Sequence, residues 1–188
     1  QYHILHRKVL NELGHGDVHI YSPSSNDSYS QFIAGKSEFE KIAYGGFIAT
    51  DTLQKMLHHC RPYELETGLC NRIYDEALKD VCKAIEKGGN SVNVINRAAE
   101  RFASSKKDTQ SKPLIGVIGE IYIRNNRFAN NNLIRKLEEL GCEAYLEPVG
   151  EWMLFVNHMF NRSSMDSRDV KGIIKSIIKQ KYQYAVEH

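Results

Sequence analysis

Leu114-Ile115-Gly116-Val117-Ile118-Gly119 is an unbroken apolar run without a charged side chain, the pattern of a strand buried on both faces of a parallel sheet. Residues 120–130 follow as a polar loop rich in asparagine. Leu133, Ile134, Leu137 and Leu140 then recur at helical spacing up to Gly141. Residues 142–146 read as the next strand, closed by Pro148. A strand–helix–strand unit of this length calls for parallel strands joined by a crossover helix. Extended along the chain, the alternation predicts an α/β fold: three-layer, Rossmann-like lobes with parallel strands and helices on both faces.

Working outward, Leu5, Val9, Leu10 and Leu13 mark a helix over residues 2–13 that stops at Gly14. Val18-His19-Ile20-Tyr21 reads as a short buried strand feeding the polar loop Ser22-Pro23-Ser24-Ser25-Asn26-Asp27-Ser28-Tyr29. Ser37 and Glu40 form a capping box for a helix carrying Ile42, Leu53, Met56 and Leu57, which Gly45-Gly46 should bend or break. Arg61-Pro62 ends that unit. A second helix follows from Thr67, with Ile73, Ala77, Leu78, Val81, Cys82 and Ile85 in one stripe, and a third over residues 91–103 with Val94, Ala98 and Phe102 inward.

Residues 104–112 have no apolar side chain, so the chain divides into a partial first lobe (1–103), a linker (104–112) and a second lobe (113–188). A helix is expected near Glu151, and Val170, Ile173, Ile174, Ile177 and Ile178 give the inward face of a last one. Its lysines, Lys171, Lys175, Lys179 and Lys181, suit a solvated face better than an anionic membrane surface.

Composition excludes several classes. With 188 residues, 41% hydrophobic and 26% charged, the chain can build a core and is not disordered. Its net charge of +2 gives no pull on nucleic acid. No apolar run approaches the roughly 18–20 residues that cross a bilayer. Gln1 opens the sequence without Met, so a piece of a longer protein is expected.

Cys60, Cys70, Cys82 and Cys142 contain no CxxC pair, so a tight metal chelate is missing. Cys82 and Cys142 read as small buried hydrophobes. Cys60 and Cys70 bracket Arg61-Pro62-Tyr63-Glu64 beside His58 and His59, where a metal site is conceivable but a helix end with incidental thiols fits better. Four free thiols point to a cytoplasmic protein.

In open parallel sheets ligands bind beyond the carboxyl ends of the strands. Two loops would stand there. The first offers Ser22, Asn26 and Tyr29; the second offers Glu120, Tyr122, Arg124, Asn125 and Asn130. The start of the following helix would favour an anion such as phosphate, carboxylate or a thioester-bearing cofactor. The alternative is a solvated connection whose asparagines only make turns, since no glycine-rich phosphate fingerprint or Walker motif is present. Glu120, directly after the strand, is placed either for proton transfer in a partly desolvated site or for pairing with Arg124. No catalytic residue is assigned. His3 and His6 lie one helical turn apart but lack a third metal ligand.

The string from Lys112 to Asn126, continued by Phe128-Ala129-Asn130, resembles the large activase-related proteins of the 2-hydroxyacyl-CoA dehydratase group from anaerobic bacteria, the CoA-substrate-specific enzyme activases. Gln1-Tyr2-His3, Asp17-Val18 with Ser22-Pro23, and Arg61-Pro62-Tyr63-Glu64 look like further landmarks in the same order. The resemblance implies a dehydratase-like segment contributing a cleft for a CoA thioester or an iron–sulfur cluster in ATP-driven, low-potential electron transfer. Such a segment would be a non-autonomous part of an activase or dehydratase. The cluster would belong to the full-length protein, with no metal or cofactor expected on this chain alone. Partners would be other segments of the parent chain or a dehydratase or reductase subunit, with no nucleic acid or membrane; a homodimer is a further candidate. A docking or regulatory module without chemistry is the other reading, favoured by the missing cysteine cluster and nucleotide motif.

Overall fold

A computed structural model describes residues 2–20, 37–88, 90–107, 110–166 and 170–187. The chain divides into two compact units, Gln1–Lys41 and Ile42–His188. In the first, helix α1 (Tyr2–Glu12) ends in a turn at Gly14, whose φ of +79° suits glycine. His3 and His6 are exposed on it. The strand expected at residues 18–21 does not form over its described part. Arg7 donates from Nη1 to the carbonyls of Gly16 and Val18, each at 2.8 Å, and so ties this segment back to α1.

The elements that follow are helix α2 (Ser37–Cys60), a 3₁₀ turn (Arg61–Tyr63), α3 (Leu69–Glu86), α4 (Val92–Ser104), strand β1 (Leu114–Val117), α5 (Ile121–Asn125), α6 (Leu133–Glu139), β2 (Glu143–Leu146), α7 (Val149–Asp166) and α8 (Val170–Glu187). The expected three-layer α/β architecture is therefore overturned. Among the described residues the fold is mostly helical, and its strands make one two-stranded sheet in which β1 and β2 run parallel, Leu114 opposite Glu143 and Val117 opposite Leu146. It has no Rossmann-like lobe.

The core is helical. Ala49, Leu53, Leu57 and Cys60 of α2 pack in one cluster with Cys70, Ile73, Ala77 and Val81 of α3 and Val94, Ala98 and Phe102 of α4. Each set recurs at three- or four-residue spacing, which places it on one helix face. Gly45-Gly46 does not break α2. A Cβ on Gly46 would stand 3.0 Å from Ile85 Cδ1, so the glycine admits a close neighbour instead. The cysteine assignment is reversed as well: Cys60 and Cys70 are buried, Cys82 is exposed and Cys142 is half-buried. Cys82 follows Val81 by one residue, a rotation of about 100° that carries it off the core stripe.

Polar clasps tie the helical core to the strand-bearing part. Arg61 donates from Nε and Nη2 to the Glu138 carboxylate at 2.7–3.1 Å, with both side chains only 5% and 6% exposed. Tyr63 donates to Glu143 at 2.9 Å and accepts from the Lys112 amide at 2.9 Å. Glu64 accepts the amides of Gly68 and Cys70 and so caps α3. Asp51 accepts from the amides of Val149 and Gly150 at 3.2 and 2.7 Å, placing the protein's own carboxylate at the start of α7. Helices α7 and α8 pack on each other. The isoleucine face expected to turn inward is largely open there: Ile174, Ile177 and Ile178 are exposed.

Candidate functional site

The ends of β1 and β2 border a cleft of about 560 Å³ whose lining includes Glu120, Ile121, Arg124, Glu147, Glu151 and Trp152. Glu120, separated from β1 by Ile118 and Gly119, is the N-cap of α5, and its Oε2 accepts the Ile123 amide at 2.9 Å. It is exposed, so the desolvation that would suit it to proton transfer is missing. Its expected pairing with Arg124 is not made. Arg124 is buried and donates to the Gly119 carbonyl, the Glu147 carboxylate and the Pro148 carbonyl. Its two terminal nitrogens thus tie the two strand ends together, while its Nε is buried without a hydrogen-bond partner among the described residues.

The remaining sequence-derived residues of this loop serve the backbone. Asn125 donates to the Ile121 carbonyl, and Asn130 donates to the carbonyls of Ile123 and Arg124 while accepting the Leu133 amide. At the start of α6 one amide, that of Leu133, is thus taken by the neutral Asn130 side chain. Tyr122 is exposed and lies outside the cleft lining. Ser22, Asn26 and Tyr29 fall outside the described residues, as does the shared rim proposed for the two loops. Sequence reasoning passed over Glu147, Glu151 and Trp152. Glu147 carried a usable signal, since it follows the second strand segment as Glu120 follows the first apolar run.

A second polar cluster lies between α2 and β2. His59 Nδ1 sits 2.6 Å from Glu143 Oε1, and Lys106 Nζ lies 3.1 Å from His59 Nε2. A histidine between a carboxylate and a lysine evokes acid–base catalysis. The adjacent Cys60 thiol, however, is pushed up to about 11 by burial, and burial also raises Cys70. Both thiols stay protonated and unreactive at neutral pH.

Among the described residues no group of three or more His, Cys, Asp or Glu side chains is placed to hold a metal ion. With the α/β lobes also absent, the expected cleft for a CoA thioester or iron–sulfur cluster is overturned, and with it the activase or dehydratase-like catalytic assignment and ATP-driven electron transfer. Among the described residues no helix is long and apolar enough to cross a membrane. In comparisons with known proteins, no family model, no curated protein and no solved structure matches this chain.

Strand β1 is left without an internal explanation for its apolar surface. Leu114 is 62% exposed and Ile118 80%, although both belong to an apolar run. Ile115 is exposed too, and of the four β1 residues only Val117 is buried. The Glu143 amide donates to the Pro113 carbonyl and the Glu147 amide to the Val117 carbonyl. The odd-numbered residues of β1 therefore turn their backbone groups to β2. Leu114, Gly116 and Ile118 turn theirs to the opposite edge, where no strand pairs with β1 among the described residues. Tyr122, Ile123 and Phe128 add exposed apolar area in the segment that follows.

Proposed function

We propose that this chain is a docking module without chemistry of its own, which binds a polypeptide partner by taking a strand onto the open edge of β1. One observation carries the reading: in an uncharged apolar run Leu114, Ile115 and Ile118 are exposed, and among the described residues no strand pairs with the second edge of β1. Such edges are templates for strand addition, and proteins ordinarily blunt them with charge, proline or a bulge. The commitment of Arg124, Glu143 and Glu138 to internal clasps supports a structural rather than catalytic role for the polar residues around the sheet.

A photo-crosslinking residue introduced at Ile118 tests the reading in cells expressing the chain. A discrete adduct with one polypeptide is expected, abolished by Gly116→Pro, which removes an edge amide. Adducts no more specific than those from exposed Glu76 would overturn it.

A further inference from the structure

We infer that helix α8 attaches this chain to the surface of an anionic bilayer, lying in the plane of the headgroups with its isoleucine face turned into them. This surface is separate from the edge of β1, and the inference goes beyond the docking reading.

Four apolar side chains of α8 stand open: Val170 is 66% exposed, Ile174 54%, Ile177 43% and Ile178 64%. At roughly 3.6 residues per turn they fall within an arc of about 100°. The opposite side of the helix is taken. Gly172 is buried, Ile173 is half-buried, and α8 packs along α7. Contiguous apolar surface of this kind marks an interaction site.

The positive charge of the chain is gathered beside it. Lys171, Lys175 and Lys179, spaced four apart, run by helical register along one flank of the arc, and Lys181 lies within it nearer the C-terminal end. Lys171 and Lys181 are exposed. The helix has a single acidic residue, Glu187, whereas acids and bases nearly balance over the rest of the chain. The solvated-face reading of these lysines assumes that the isoleucines turn inward. With that face open, apolar arc and basic flank are the two parts of an interfacial helix. The arc enters the boundary between headgroups and acyl chains while the ammonium groups meet lipid phosphates and carboxylates. Among the described residues no helix is long and apolar enough to cross a membrane, so α8 lies along the surface.

Two other occupants are disfavoured. A second copy of α8 laid on the arc would set lysines against lysines, with one acid per helix to offset them. An acidic protein groove that encloses a helix needs most of its circumference, and α7 already occupies one side. A flat anionic surface needs only the open arc.

Co-sedimentation with extruded vesicles tests the assignment. The chain is expected to bind phosphatidylcholine vesicles containing phosphatidylserine roughly tenfold more tightly, or better, than vesicles of phosphatidylcholine alone, and to lose that preference in high salt. Each lysine near an anionic leaflet contributes roughly fivefold in affinity, so Lys171→Glu with Lys181→Glu should remove the preference. Ile174→Ser with Ile178→Ser should abolish binding. All four positions are exposed, and circular dichroism checks that both variants are folded. An environment-sensitive fluorophore on Ile178→Cys, in a background with Cys82→Ser and Cys142→Ser, should shift to the blue on the mixed vesicles, and one on Glu76→Cys should not. Failure to bind either vesicle, equal binding to both, or an unshifted fluorophore at residue 178 overturns the inference. A dimer that the paired serine variant disperses would give the face to a second copy and overturn it as well. The strand edge is tested separately, by the crosslinker at Ile118.

Discussion

Arg61 shows how a single side chain joins the helical core to the sheet-bearing part. Its guanidinium meets Glu138, 77 residues away in sequence, with both groups out of solvent. Desolvating two charges offsets most of their attraction, but removing one leaves the other stranded. Arg61→Ala should therefore cost about 3–5 kcal/mol in urea unfolding, whereas Arg61→Met with Glu138→Leu should recover most of that loss. A single variant as stable as the parent would show that the pair does not hold the parts together. His58 makes a pH prediction. Burial, reinforced by the charges of Arg61 and Arg127, lowers its ring from the ordinary 6.5 to about 3. The unfolded chain then binds a proton that the folded chain refuses, so this contribution is complete above pH 6.5 and is lost as pH falls below it. The loss approaches about 1.4 kcal/mol per pH unit. Asp51, whose carboxyl burial pushes up, acts in the opposite sense. Unfolding curves between pH 7.5 and 4.5 should show a steep acid decline that His58→Leu flattens; parallel declines would refute the assignment.

At the scale of elements, the helices were legible because their apolar residues repeat at the helical period: the stripes of α3 and α4 run through Ile73, Ala77 and Val81, and through Val94, Ala98 and Phe102. The one strand–helix–strand unit was also visible in the sequence. The overreach lay in extending it to a layered sheet, because short apolar runs do not reveal whether a strand has neighbours. Val18 and Ile20 look strand-forming, yet Arg7 holds the Val18 carbonyl against α1, a contact no periodicity encodes. Gly45-Gly46 misled similarly, since a glycine in a helix can mark tight packing as well as a break. The candidate site was half legible. Glu120 and Arg124 do reach the strand ends, but the choice of Glu147 over Glu120 as the partner of Arg124 depends on β2 lying beside β1. The glycines can be separated by experiment. Gly45 has open space where a Cβ would stand, so Gly45→Ala should stabilise by about 0.5–1 kcal/mol. Gly46→Ala, pressed against Ile85, should gain clearly less. Equal gains in thermal denaturation would show that Ile85 imposes no constraint.

For the whole molecule, Leu114, Ile115 and Ile118 have the composition of a sheet interior and the exposure of a surface, a combination that marks interaction sites. Among the described residues the two-stranded sheet is paired only between β1 and β2, and its outer edges carry no further strand. Hydrogen exchange at the individual amides of β1 tests this most directly. At high dilution, where the chain is free, Ile115 and Val117 should exchange slowly because β2 holds them, while Leu114, Gly116 and Ile118 exchange fast. On adding a cognate polypeptide, the same three amides should become slow together. Uniformly slow exchange along β1 at every dilution would mean that the edge is already occupied, and would contradict the account.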